Sequence, residues 1–130
     1  CRPWSRTAMK ILVIDDDADL RVLLTLALKD IGKMDVETLG SGAGIVKIAA
    51  EGDFDGILLD VMMPSPTGPE CLEMLRQDER TKDIPVIFLT AQGGDEVLSN
   101  LAKLSSYIVL TKPFDPMTLA DNLRVLLNKD

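Results

Sequence analysis

Three short runs, residues 11–14, 57–59 and 86–89, are apolar at every position, and they restrict the fold more than any other feature of the chain. A strand with one face in water alternates polar and apolar side chains. A strand apolar on both faces has to be covered on both, as a parallel strand is between two layers of helix. The intervening segments supply those layers. Leu20, Leu23, Leu24, Ala27, Leu28 and Ile31 fall at i, i+3, i+4, i+7, i+8 and i+11, one apolar stripe on a helix that Gly32 can end. Weaker versions of the pattern occupy 41–51 (Ile45, Ile48, Ala49), 68–78 (Cys71, Leu72, Leu75), 94–104 (Val97, Leu98, Leu101) and 117–128 (Ala120, Leu123, Leu127).

Strands are expected at 10–15, 35–39, 56–60, 85–90 and 107–111, so strand and helix alternate along the chain. Residues 35–39 alternate polar and apolar, which assigns that strand to an edge. With right-handed crossovers the pattern predicts an α/β fold, a flavodoxin-like doubly wound parallel sheet of five strands in the order 2-1-3-4-5 with five helices. Ligands of such sheets bind outside the carboxyl ends of the strands, beside the switch point between the first and third. The length of 130 residues fits one domain, read as 10–128, with 1–9 a tail or expression remnant before a natural start at Met9.

Composition removes whole classes of chemistry. The chain contains no histidine, which excludes Ser-His-Asp triads, Cys-His pairs and the usual zinc sites. Two cysteines, Cys1 and Cys71, make no disulfide framework, so a cytoplasmic location is the expectation. A net charge of −7 repels phosphate backbones and anionic lipid, arguing against direct nucleic-acid or membrane-surface binding. No apolar run approaches the roughly 20 residues of a membrane span. Whatever chemistry occurs uses carboxylates, hydroxyls and lysines.

Those groups stand at the carboxyl ends of the expected strands. The first ends in Asp15-Asp16-Asp17, the third in Asp60, the fourth in Thr90 and the fifth in Lys112-Pro113. Taken singly, an acidic run is an ordinary solvated loop, Thr90 a turn residue, Lys112 a solvated cation, and Met62 and Met63 packing. Together on one rim they form a coherent site. Carboxylates about 4 Å apart repel by about 4 kcal/mol per pair at an effective dielectric of 20, which favours a bound cation or a retained proton. Oxygen ligands without nitrogen or sulfur select a hard ion, and Mg²⁺ fits best. Such an ion invites a phosphoryl group, for which Asp60 is a carboxylate nucleophile. Asp15, Asp16 and Asp60 then hold the metal, with the backbone carbonyl of Met62 a further ligand, while Thr90 and Lys112 reach two phosphoryl oxygens.

The segments ILVIDDD (11–17), ILLDVMMPSPTG (57–68), IPVIFLTA (84–91) and LTKPFDP (110–116), with the spacing among Asp15, Asp60, Thr90 and Lys112, resemble the receiver domain of bacterial two-component response regulators. The likeness covers residues 10–128. It implies a phosphoryl donor, the phosphohistidine of a sensor histidine kinase or histidine phosphotransfer protein, and a downstream protein target. It also implies a monomer or a phosphorylation-dependent dimer, a cis Lys112-Pro113 bond, and a switch rather than an enzyme. Phosphorylation is expected to draw Thr90 in and change the surface made by the fourth helix, fifth strand and fifth helix. Val109 stands where many members carry an aromatic residue, with Tyr107 two residues back, so the aromatic part of the switch is not expected. Met62 and Gln92 occupy positions associated in that family with the lifetime of the aspartyl phosphate.

Two other readings compete. A receiver fold can serve as a docking module without phosphorylation. A haloacid-dehalogenase-like phosphatase would use Asp15-x-Asp17 as nucleophile and acid, but that reading leaves Asp60 unexplained and the chain too short for a cap.

Overall fold

The computed structural model describes residues 9–61, 63–64, 66–90, 108–111 and 115–127. In chain order these form β1 (Lys10–Ile14), α1 (Ala18–Thr25) running into a π-helical turn (Leu26–Ile31), β2 (Asp35–Leu39), α2 (Ile45–Gly52), β3 (Gly56–Asp60), α3 (Gly68–Gln77), β4 (Val86–Thr90), β5 (Ile108–Thr111) and α4 (Leu119–Leu127). The strands pair in parallel in the order β2-β1-β3-β4-β5. This is the flavodoxin-like arrangement of alternating strands and helices. The helix expected at 94–104 lies outside the described residues, as do residues 1–8 of the tail, Tyr107, and the Lys112-Pro113 bond.

The runs apolar on both faces become the three central strands, and alternation along each splits the core in two. Leu12 and Ile14 of β1, Ile57 and Leu59 of β3, and Val86 and Phe88 of β4 pack with Ile45 and Ala49 of α2 and Cys71, Leu72 and Leu75 of α3. On the opposite face Ile11, Val13, Leu58, Ile87 and Leu89 pack with Leu24, Ala27 and Leu28 and with Leu119, Ala120, Leu123 and Leu127 of α4. β2 lies at an edge, and none of its residues is fully buried.

The first helix departs from expectation along its stripe. Leu24, Ala27 and Leu28 are buried, but Leu23 and Ile31 are each 37% exposed. Past Thr25 the helix widens to π geometry, with the Gly32 amide donating five residues back to the Ala27 carbonyl. The wider turn changes the phase of the spacing and swings Ile31 off the core. Gly32 does not end the helix by taking up a left-handed conformation, since its φ is −87°. That conformation falls on Lys33 (φ 61°), whose amide bonds to the Lys29 carbonyl while the Met34 amide bonds to the Leu28 carbonyl, a nested pair in which each bond reaches one residue further back than in a Schellman ending, in keeping with the wider π turn. Gly32 is needed for closeness instead, because a Cβ there would run into Ala120 of α4 and the Leu28 carbonyl. The helix expected from residue 41 begins only at Ile45. Gly42 lies beneath Cys71 and Pro66, where a Cβ has no room, and Gly44 is left-handed at φ 76°.

Candidate functional site

Asp15 follows β1 directly, and the ladder holds it in place: its amide donates to the Leu39 carbonyl at the end of β2 (3.1 Å). Ile14 pairs with Leu59 and Asp60 with Leu89, so Asp15 and Asp60 stand level on neighbouring strands at the carboxyl edge. Both are buried, at 2% and 6% exposure, while Asp16 is open to solvent. One carboxylate oxygen from each of Asp15, Asp16 and Asp60 lies within 4.8 Å of the others, and among the described residues they form an acidic group able to hold a metal ion. The donor set is oxygen only, which suits a hard divalent cation such as Mg²⁺ and suits zinc or copper poorly.

Local bonds hold this cluster. The Asp15 carboxylate accepts from the Asp17 amide (2.9 Å), which turns the loop, and the Asp15 carbonyl accepts from Arg21 Nη1 (2.7 Å). Past Asp60, the Val61 amide donates to the Leu89 carbonyl (3.3 Å), and the Val61 carbonyl accepts from the Gly68 amide (3.2 Å) at the start of α3. A Cβ at Gly68 would lie 2.6 Å from the Asp60 carbonyl oxygen and 2.8 Å from the Val61 Cα. This glycine therefore lets α3 approach the strand end that carries Asp60. Thr67 caps the helix reciprocally with Glu70: the Glu70 amide donates to Thr67 Oγ1 (3.3 Å) and the Thr67 amide to Glu70 Oε1 (2.7 Å).

Thr90 is fully buried at the end of β4, one step beyond the level of Asp60. The structure thus brings together Asp15, Asp16 and Asp60 and places Thr90 on the adjoining strand. Met62 and Lys112, and Gln92 further on, lie outside the described residues. Met63 belongs to the core beside α3, as packing. Asp17 takes no part in the cluster: its carboxylate caps α1, accepting from the Asp19 (2.9 Å) and Leu20 (3.3 Å) amides. The Asp15-x-Asp17 pair of the phosphatase reading is thus divided, one carboxylate in the acidic cluster and the other on the helix cap.

Arg21 is the contact that reading the chain for strand-end residues missed. A signal for it exists. A cation in the first turns of a helix meets the positive end of the helix dipole and is modestly disfavoured there, so an arginine at that place is worth checking for a specific acceptor.

Residues 11–124 match the family described as the response regulator receiver domain. The chemotaxis protein CheY1 of Helicobacter pylori is 36% identical over 122 residues, covering 92% of this chain and 97% of that protein. CheY-3 of Vibrio cholerae is 31% identical over 115 residues, 88% of each. Among solved structures, Vibrio cholerae CheY4 aligns with a TM-score of 0.81 at 30% identity over 92% of this chain and 98% of that one. The receiver domain of the sensor histidine kinase PA1611 from Pseudomonas aeruginosa, which has a magnesium ion coordinated in its active-site cleft, aligns at 0.79 with 26% identity over 93% and 98%. Sheet order, acidic cluster and sequence agree, and the chain belongs to the response regulator receiver domain family.

Proposed function

We propose that this chain is a cytoplasmic, phosphorylation-dependent signalling switch: Asp60 accepts a phosphoryl group from the phosphohistidine of a sensor histidine kinase or histidine phosphotransfer protein, with Mg²⁺ as cofactor, and the phosphorylated form binds a downstream protein. The observation that carries this reading is the convergence of the Asp15, Asp16 and Asp60 carboxylates within 4.8 Å at the carboxyl edge of the sheet. The magnesium ion in the PA1611 receiver supports the choice of metal. The chain has no histidine, so the donor is another molecule or another domain.

In the transfer, one Asp60 oxygen attacks phosphorus in line with the leaving imidazole nitrogen. The P–N bond breaks as the P–O bond forms, and the imidazole keeps the electron pair and is reprotonated. Asp15, Asp16 and Asp60, with the Met62 carbonyl, would hold Mg²⁺, which would supply positive charge against the phosphoryl oxygens. Burial of Asp15 and Asp60 keeps bulk water from screening that charge. The Thr90 hydroxyl and the Lys112 ammonium donate to two different phosphoryl oxygens. Thr90 is drawn toward the group, and the surface built from residues 94–104, β5 and α4 changes with it. Asp60 is consumed as an acceptor, one phosphoryl group at a time, and the chain acts as a switch rather than an enzyme.

Treatment with acetyl phosphate and Mg²⁺ tests this directly. Intact mass should show one phosphoryl adduct on the native chain and none on Asp60→Asn. A native chain that takes up no adduct would favour the unphosphorylated docking module, and an adduct that survives in Asp60→Asn would displace Asp60 as the acceptor.

A further inference from the structure

Arg21 sits on α1 one turn inside its N-terminus, half-buried, and donates from Nη1 to the Asp15 carbonyl at 2.7 Å. Against the same guanidinium end lies Gly40, the residue after β2. A Cβ on Gly40 would stand 2.9 Å from Arg21 Nη1 and 3.3 Å from Cζ. The guanidinium therefore fills the space between the ends of β1 and β2, at the point where the Asp15 amide is already tied to the Leu39 carbonyl (3.1 Å). Three bonds thus fix the peptides around Asp15: its amide to β2, its carbonyl to Arg21, and its carboxylate to the Asp17 amide (2.9 Å). The Asp15 carbonyl belongs to the peptide that leads into Asp16, so the bond from Arg21 sets the orientation of the segment bearing both carboxylates.

We infer that Arg21 is a positioning residue for the acidic site: by holding the Asp15 carbonyl against the end of β2 it presets Asp15 and Asp16 to receive a divalent cation, in a space that Gly40 leaves open for it. The inference rests on the metal reading of the site given above. Its physical basis is preorganisation. Groups behind the ligands of a metal commonly affect its affinity by about 10- to 100-fold, because a carboxylate that must first be ordered spends binding free energy on ordering. A charged donor on a carbonyl is also among the stronger hydrogen bonds available for the purpose.

The test measures Mg²⁺ binding by calorimetry on the native chain, Arg21→Ala, Arg21→Lys and Gly40→Ala, together with amide hydrogen exchange at Asp15 and Asp17 without metal. Arg21→Ala should weaken Mg²⁺ about tenfold and speed exchange at both amides. Arg21→Lys, which keeps a cationic donor, should recover part of each. Gly40→Ala keeps Arg21 but pushes its flexible end aside, and should move both readouts in the same direction by a smaller amount. A purely structural role would lower the thermal midpoint and leave Mg²⁺ affinity alone. That result in Arg21→Ala, beside a native chain that binds Mg²⁺, overturns the role of Arg21 and spares the metal site. A native chain that binds no Mg²⁺ overturns both.

Discussion

Lys33 and Asp53 hold left-handed backbone conformations, at φ 61° and 57°, each directly after a glycine that does not. The glycines are placed for contact. Gly32 lets Ala120 approach, and a Cβ on Gly52 would run into the Phe54 ring. The left-handed cost therefore falls on the next residue. Aspartate tolerates it better than lysine, because its short polar side chain bonds locally. Lys33→Gly should stabilise the fold by about 0.5–1 kcal/mol in urea unfolding, the relief of strain exceeding the added chain entropy. A loss of stability would show that the Lys33 side chain has work of its own. Cys71 belongs to the same scale. Burial under Gly42 and Pro66, and secondarily the nearby Glu70 carboxylate, push its thiol from the ordinary 9.0 up to about 11. The folded chain then resists an ionisation that the unfolded chain undergoes. The associated stability is intact below pH 9 and declines between about pH 9 and 11. The difference in unfolding free energy between the native chain and Cys71→Ala should shrink over that interval and stay constant below it.

At the scale of elements, helix starts frame the site. α1 begins on Asp17 and α3 on the Thr67–Glu70 pair, each adjoining a strand end that carries a carboxylate of the acidic cluster. Asp17→Ala should cost about 1 kcal/mol through the lost cap, whereas Asp17→Asn, which accepts the same amide bonds, should stay within about 0.5 kcal/mol of native. Both variants should still take up phosphate on Asp60, by intact mass. If Asp17→Asn instead abolished phosphorylation, its carboxylate would have to act in the chemistry as well as in the cap. The run Asp15-Asp16-Asp17 gave no hint of this division. Three identical side chains receive three environments, one buried, one solvated and one capping, because the chain changes from strand to helix within them.

Over the whole molecule, the sheet is clamped between two apolar layers, and the acidic cluster sits on its rim, at the carboxyl ends of β1 and β3. A ligand there is linked to global stability, since Asp15 and Asp60 extend the strands at the centre of the fold. Mg²⁺ at a hundredfold excess over its dissociation constant should raise the free energy of unfolding by about 2.7 kcal/mol, and Asp15→Asn should remove most of that gain. Urea midpoints with and without metal measure it. Among the described residues no helix is long and apolar enough to cross a membrane.

What the residues alone determined is the class of fold and the make-up of the rim. Uninterrupted apolar runs can satisfy both faces only inside a two-sided helical cover, and parallel strands so covered deliver their last residues to one edge. That logic located Asp15, Asp16, Asp60 and Thr90 together and put β2 outermost. Only the tertiary structure decided which carboxylate caps a helix, that Gly32 serves packing while Lys33 bears the turn, that the first helix shifts phase, and that Arg21 lies against Asp15 beside Gly40. Each of these depends on the distance between segments far apart in the chain or on the exact course of a turn, and side-chain periodicity carries information about neither.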